Sequence, residues 1–130
     1  MRNSLAALFV FLAGPTAVHA TEWMNCSAGA DGASISMLMG QVPVAAVTTV
    51  NIEAGGKNWS TVPADGAKTI VVGQAFENHD MLSVDLTDDN ISEIIARLRI
   101  VKASEGDTYA AGGYLHISGV GAWAVSCEGP

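Results

Sequence analysis

Past its first twenty residues, the chain is interrupted by turn-forming residues about every ten positions, and runs that short fold as strands of a sandwich or barrel. The interruptions are Gly29-Ala30-Asp31-Gly32, Gly55-Gly56-Lys57-Asn58, Pro63 to Gly66, Glu77-Asn78-His79-Asp80, Asp88-Asp89-Asn90 and Gly119-Val120-Gly121. Glycine supplies positive φ in such turns, and Asn and Asp tolerate it. Between them the apolar residues alternate, as a half-buried strand requires. Ile35, Met37 and Met39 mark one strand; Ala46, Thr48, Val50 and Ile52 mark one face of the next. Thr69 to Phe76 and Met81 to Thr87 read as a hairpin with Ile70, Val72, Phe76, Leu82, Val84 and Leu86 turned inward. Gly113 to Ser118 and Ala122 to Cys127 supply two last strands. The expected fold is mainly β: a small antiparallel sandwich or barrel of about seven to nine strands with at most one short helix, closed by one disulfide.

The one segment with two periodicities follows Asn90. Ile91, Ile94, Ile95 and Leu98 fit a helical face, whereas Ala96, Leu98 and Ile100, flanked by Arg97 and Arg99, fit a strand. Asn90 followed by Glu93 three positions later resembles a capping pair. The expectation is a short helix through about Arg97, passing into a strand that ends near Ala103.

Residues 1–20 have the layout of a secretory signal: Arg2 supplies the early positive charge, Leu5 to Ala13 an apolar run, and Ala17-Val18-His19-Ala20 a cleavage site after Ala20. The apolar run is about half of the roughly 20 residues that span a bilayer, and no second run follows. The expected mature product is one domain, residues 21–130, periplasmic or secreted, without a membrane span. In such an oxidising compartment a cysteine pair persists as a disulfide. With only Cys26 and Cys127 there is one intramolecular connectivity, its rivals being two free thiols or an intermolecular link. No Cys-x-x-Cys spacing supports redox chemistry.

Loss of Arg2 leaves five basic residues against thirteen acidic ones, a net charge of −8. That balance disfavours nucleic acid and anionic membrane as partners and favours a cationic envelope or extracellular protein. The chemical constellations are thin. Gly119-Val120-Gly121-Ala122-Trp123-Ala124 matches Gly-x-Gly-x-x-Ala, but the helix and distant acidic residue of a dinucleotide site have no room before Pro130. His116 and Ser118 alternate onto one strand face without a nucleophile elbow. His79, Asp80, Asp85, Asp88 and Asp89 form the densest group of potential metal ligands but lack the glycine and distal glutamate of an EF-hand. No catalytic residue, metal or cofactor is assigned. The candidate partner contacts are Trp59, Glu105, Asp107 and Tyr109.

Cys26 near the start, Cys127 at the end, the loop Gly106-Asp107-Thr108-Tyr109 and the late Trp123 together resemble the small periplasmic inhibitors of C-type lysozyme. That resemblance implies a β-barrel closed by one disulfide. In the family a serine precedes the loop glycine and a lysine precedes a later glycine, both engaging the lysozyme active site; here Glu105 and Ser118 occupy those positions. The functional expectation is a non-catalytic binding or interaction module. A periplasmic enzyme inhibitor loosely like that family, and a small hydrolase with a dispersed carboxylate or metal site, are the alternatives.

Overall fold

A computed structural model describes residues 21–30, 32–40 and 46–130; the expected signal segment, residues 1–20, and Asp31 lie outside the described residues. The described chain is all β, in ten strands: β1 (Thr21–Ser27), β2 (Ser34–Gly40), β3 (Ala46–Ala54), β4 (Lys57–Ser60), β5 (Ala67–Thr69), β6 (Val71–Glu77), β7 (Met81–Thr87), β8 (Ile94–Glu105), β9 (Thr108–Ile117) and β10 (Gly121–Glu128). They form one sheet in the order β5-β4-β3-β2-β1-β10-β9-β8-β7-β6. Every neighbouring pair is antiparallel except β4–β5, which is parallel. The two ends of that order are joined in the chain through Ile70 alone, so the sheet curls into a nearly closed barrel.

Turn chemistry explains the hairpins. Gly55 and Gly56, at φ 56° and 71°, fill both central positions of the β3–β4 turn, where a residue with a Cβ is strained. Alternation then fills the barrel: Met24 and Cys26 from β1, Ile35, Met37 and Met39 from β2, Val50 and Ile52 from β3, and Leu82, Val84 and Leu86 from β7 all point inward. Opposite them lie Ala96, Leu98 and Ile100 of β8, Leu115 and Ile117 of β9, and Val125 and Cys127 of β10. Cys26 and Cys127 face each other in the β1–β10 ladder and are joined by a disulfide. Such a bond persists in an oxidising compartment.

Two bulges reverse the expected facing of residues. Between Val72 and Gln74 the β6–β7 register shifts at Gly73, so Ala75 and Glu77 follow Val72 onto the inner side and Phe76 turns outward, 53% exposed. The inward position expected for Phe76 is therefore corrected. On β3 a shift opposite Leu38 and Met39 leaves Thr48 unpaired and exposed, and Val47 packs against the core in its place. Thr48 binds the Leu38 carbonyl through Oγ1 (3.2 Å).

The helix expected through Arg97 does not form. Ile91 sits at φ 56°, which breaks a right-handed helix, and the Asp88 carboxylate accepts the backbone N–H groups of Ser92 and Glu93. From Ile94 the strand periodicity wins, because Ala96, Leu98 and Ile100 bury between β7 and β9. β8 also runs past Ala103 to Glu105, and β9 starts at Thr108 rather than Gly113.

Gly113 is the tightest point of the wall. A Cβ there would lie 1.8 Å from the Arg99 carbonyl oxygen, and no side-chain rotation relieves a clash with backbone. Gly113→Ala is expected to cost at or above the upper end of the ~1–3 kcal/mol typical of overpacking. Urea unfolding checks this; a midpoint unchanged from the wild type would show that β8 and β9 do not approach so closely.

Candidate functional site

The longest hairpin of the fold carries three of the four expected contact residues. β7 pairs with β8 only as far as Val101, and β10 pairs with β9 only as far as Gly112. Beyond that line Ala103, Ser104 and Glu105 pair solely with Ala110, Tyr109 and Thr108. The result is a two-stranded ribbon extending about 10 Å, three residues at ~3.3 Å each, past the last pairing with its neighbours. The turn is Gly106-Asp107, with Gly106 at φ 58° as a two-residue hairpin loop favours. Lys102 anchors the base: its backbone N–H donates to the Asp80 carbonyl (2.8 Å) and its Nζ to Glu77 Oε1 (2.7 Å).

At the tip, Glu105, Asp107 and Tyr109 are all exposed. The pleat puts Glu105 and Thr108 on one face of the ribbon and Ser104 and Tyr109 on the other, with Asp107 at the apex. Between Ala103 and Ser118 the sequence has no Lys or Arg, so the tip is uniformly anionic. Trp59 does not belong to this surface. It is 4% exposed and packs in the core from β4, which corrects its assignment as a contact. Its neighbour Ser60 is buried too, with its hydroxyl donating to Asn51 Oδ1 (2.7 Å).

The groups that suggested catalysis or metal binding are dispersed. Asp85 forms an ion pair with Arg99 (2.8 Å). Ser118 donates its hydroxyl to the Ile94 carbonyl (3.2 Å), while His116 lies across from Arg97 and Ala122 on the outer wall. Among the described residues no three His, Cys, Asp or Glu side chains are placed to hold a metal ion, and no helix is long and apolar enough to cross a membrane. Gly119, at φ 73°, belongs to the β9–β10 connection, and Gly121 opens β10 opposite Ile117.

Sequence reasoning missed a second exposed feature. Phe76, Met81, Val101 and Tyr114 project from β6 to β9 onto the same outer face. The available signal was Gly73, since a glycine inside a strand pattern often marks a bulge. Comparison with known proteins finds no match to any family model, curated protein or solved structure.

Asp88 has a local task. The Ser92 hydroxyl and the Glu93 N–H donate to its carboxylate, joined by the Ser92 N–H, and these bonds hold its carboxyl below the ordinary aspartate value. A depressed folded-state value stabilises above the unfolded value of ~3.9, and that contribution disappears as pH falls through the lower folded one. Asp88→Asn is therefore expected to flatten the acid limb of stability below about pH 4. Thermal melts between neutral and acid pH test this, and an acid limb identical in the variant would contradict it.

Proposed function

We propose that the mature domain is a non-catalytic binding module of the periplasm or extracellular space that grips a cationic protein partner with the tip of the β8–β9 ribbon. The observation that carries this reading is the ribbon's projection. Its three outer residue pairs, Ala103–Ala110 to Glu105–Thr108, pair with no neighbouring strand, and its tip buries nothing in the core. A free two-stranded ribbon gains little stability on its own. Tyr109, 46% exposed, offers a rigid amphipathic anchor of the kind enriched at interface centres. Glu105 and Asp107 add charge that steers a positive surface towards it. The signal-like residues 1–20 and the disulfide support the compartment.

A second reading is favoured by the same projection. The loop that resembles the C-type lysozyme inhibitors is the ribbon tip, so the partner on this reading is a cationic enzyme whose cleft the ribbon enters. Glu105, in place of the family's serine, then faces the cleft.

Affinity capture from envelope extract, comparing wild type with Tyr109→Ala and Glu105→Lys/Asp107→Lys, tests the module. Loss of Tyr109 is expected to weaken the recovered complex by about 30-fold, the effect of a ~2 kcal/mol anchor. The charge reversals should slow association most at low salt. Undiminished capture by all variants, with the disulfide and spectra intact, would remove the ribbon from the interface. Lysozyme assays with and without the protein separate the two readings.

A further inference from the structure

The outer wall of β6 to β9 presents a built depression that the ribbon reading leaves unused. The bulge at Gly73 places Phe76 in a cross-strand row that continues through Ser83 and Arg99 to Tyr114. The neighbouring row runs from Gln74 through Asp85 to Arg97 and His116. Gln74, Phe76, Ser83, Asp85 and Arg99 line a depression of about 260 Å³. Arg99 is held rigidly at its centre: Nη1 donates to the carbonyls of Val84 (3.2 Å) and Leu98 (2.9 Å), and Nη2 donates to Asp85 Oδ1 (2.8 Å). Among the described residues, the Gln74 amide, the Ser83 hydroxyl and Asp85 Oδ2 have no protein hydrogen-bond partner.

We infer that this depression binds one ring of a neutral saccharide, with Phe76 as the stacking platform and Gln74, Ser83 and Asp85 as hydroxyl partners. Charge selects against the other ligand classes. Arg99 and Asp85 neutralise each other within the lining, and Arg97, opposite Asp85 on β8, is the one further cation beside it and does not line the depression. The acidic chain as a whole repels anions, and an organic cation meets a carboxylate already paired. A wholly apolar ligand leaves the amide, hydroxyl and carboxylate desolvated without partners, which is costly. A pyranose ring satisfies both requirements. Its polarised C–H face meets the negative face of the Phe76 ring, and its equatorial hydroxyls both donate and accept.

Size and repetition narrow the ligand further. The volume lies just below the ~300–1,000 Å³ of pockets that hold drug-sized molecules, which suits a single ring. Tyr114, 46% exposed, is a second aromatic platform in the same row. It stands three strand spacings from Phe76, roughly 14 Å at ~4.8 Å per strand, so only an oligosaccharide reaches both.

Residue-resolved NMR titration of the ¹⁵N-labelled mature protein with maltotriose and with the trimer of N-acetylglucosamine tests this. Saturable shifts at Gln74, Phe76, Ser83, Asp85, Arg99 and Tyr114 are expected with at least one of the two. Phe76→Ala removes an exposed ring without opening the core, and should weaken that binding about tenfold or more. Ser83→Ala is a second, isosteric check that should also weaken it. Absence of saturable shifts at these residues by roughly 20 mM of either sugar, where a millimolar site is near saturation, would overturn the proposal. Equal affinity in Phe76→Ala would overturn it as well.

Discussion

One buried bond between Cys26 and Cys127 crosses the joint on which the whole sheet depends. The strand order divides into two halves that are consecutive in sequence, β1 to β5 and β6 to β10. Within each half the strands pair along most of their length, as β1 does with β2 and β9 does with β10. Between the halves, β1 and β10 pair only over Asn25–Ser27 and Ser126–Glu128, less than half of either strand. The disulfide sits on the middle pair of that short ladder. Its loop spans 101 residues of sequence. In the chain-entropy account such a loop contributes at most about 4.7 kcal/mol. That is comparable with the ~5–15 kcal/mol by which a whole domain is stable.

Once that joint is fixed, the opposite side of the barrel closes through the chain itself. Ile70, fully buried, links β5 to β6, and its N–H donates to the Ser60 carbonyl (3.1 Å). Near the same seam β3 outruns β4, and Thr61 stands in as partner: its N–H donates to the Val50 carbonyl (3.0 Å), and its Oγ1 accepts the Val50 N–H (2.9 Å). The interior is then filled by aliphatic side chains and methionines from both halves, leaving the outer wall and the β8–β9 ribbon free of any duty to the core. Those are the surfaces proposed to bind.

Local chemistry made much of this legible in the sequence. The paired glycines at 55 and 56, and the turn at Gly119, marked where strands end because only glycine is comfortable at those φ values. The strand ends on either side of Gly106 were placed too far out from the turn, at Ala103 and Gly113. The alternation of β7 identified its inner face correctly, and placing the two cysteines on the first and last strands made their pairing readable. What stayed hidden depends on register. The outward turn of Phe76 follows from a bulge at Gly73, where an added Cβ would press on the Thr87 side chain across the strand, and no local pattern records that contact. Trp59 looked like a surface aromatic because its strand is too short to show alternation. The Asn90 segment misled for a different reason: its helical spacing is real, but Ile91 at φ 56° takes the chain out of the right-handed helical region, and Asp88 ties the Ser92 and Glu93 N–H groups into that turn. For the same reason the ribbon tip was foreseeable as a loop, while the depression around Arg99 required the cross-strand pairing to be known.

Amide hydrogen exchange, compared residue by residue between the oxidised protein and the reduced, alkylated one, tests the central role of the joint most directly. If the disulfide holds two otherwise self-contained halves together, reduction releases protection first at Asn25–Ser27 and Ser126–Glu128, while β7 to β9 keep theirs. Unchanged protection along β1 and β10, or loss spread evenly over every ladder, would contradict the account.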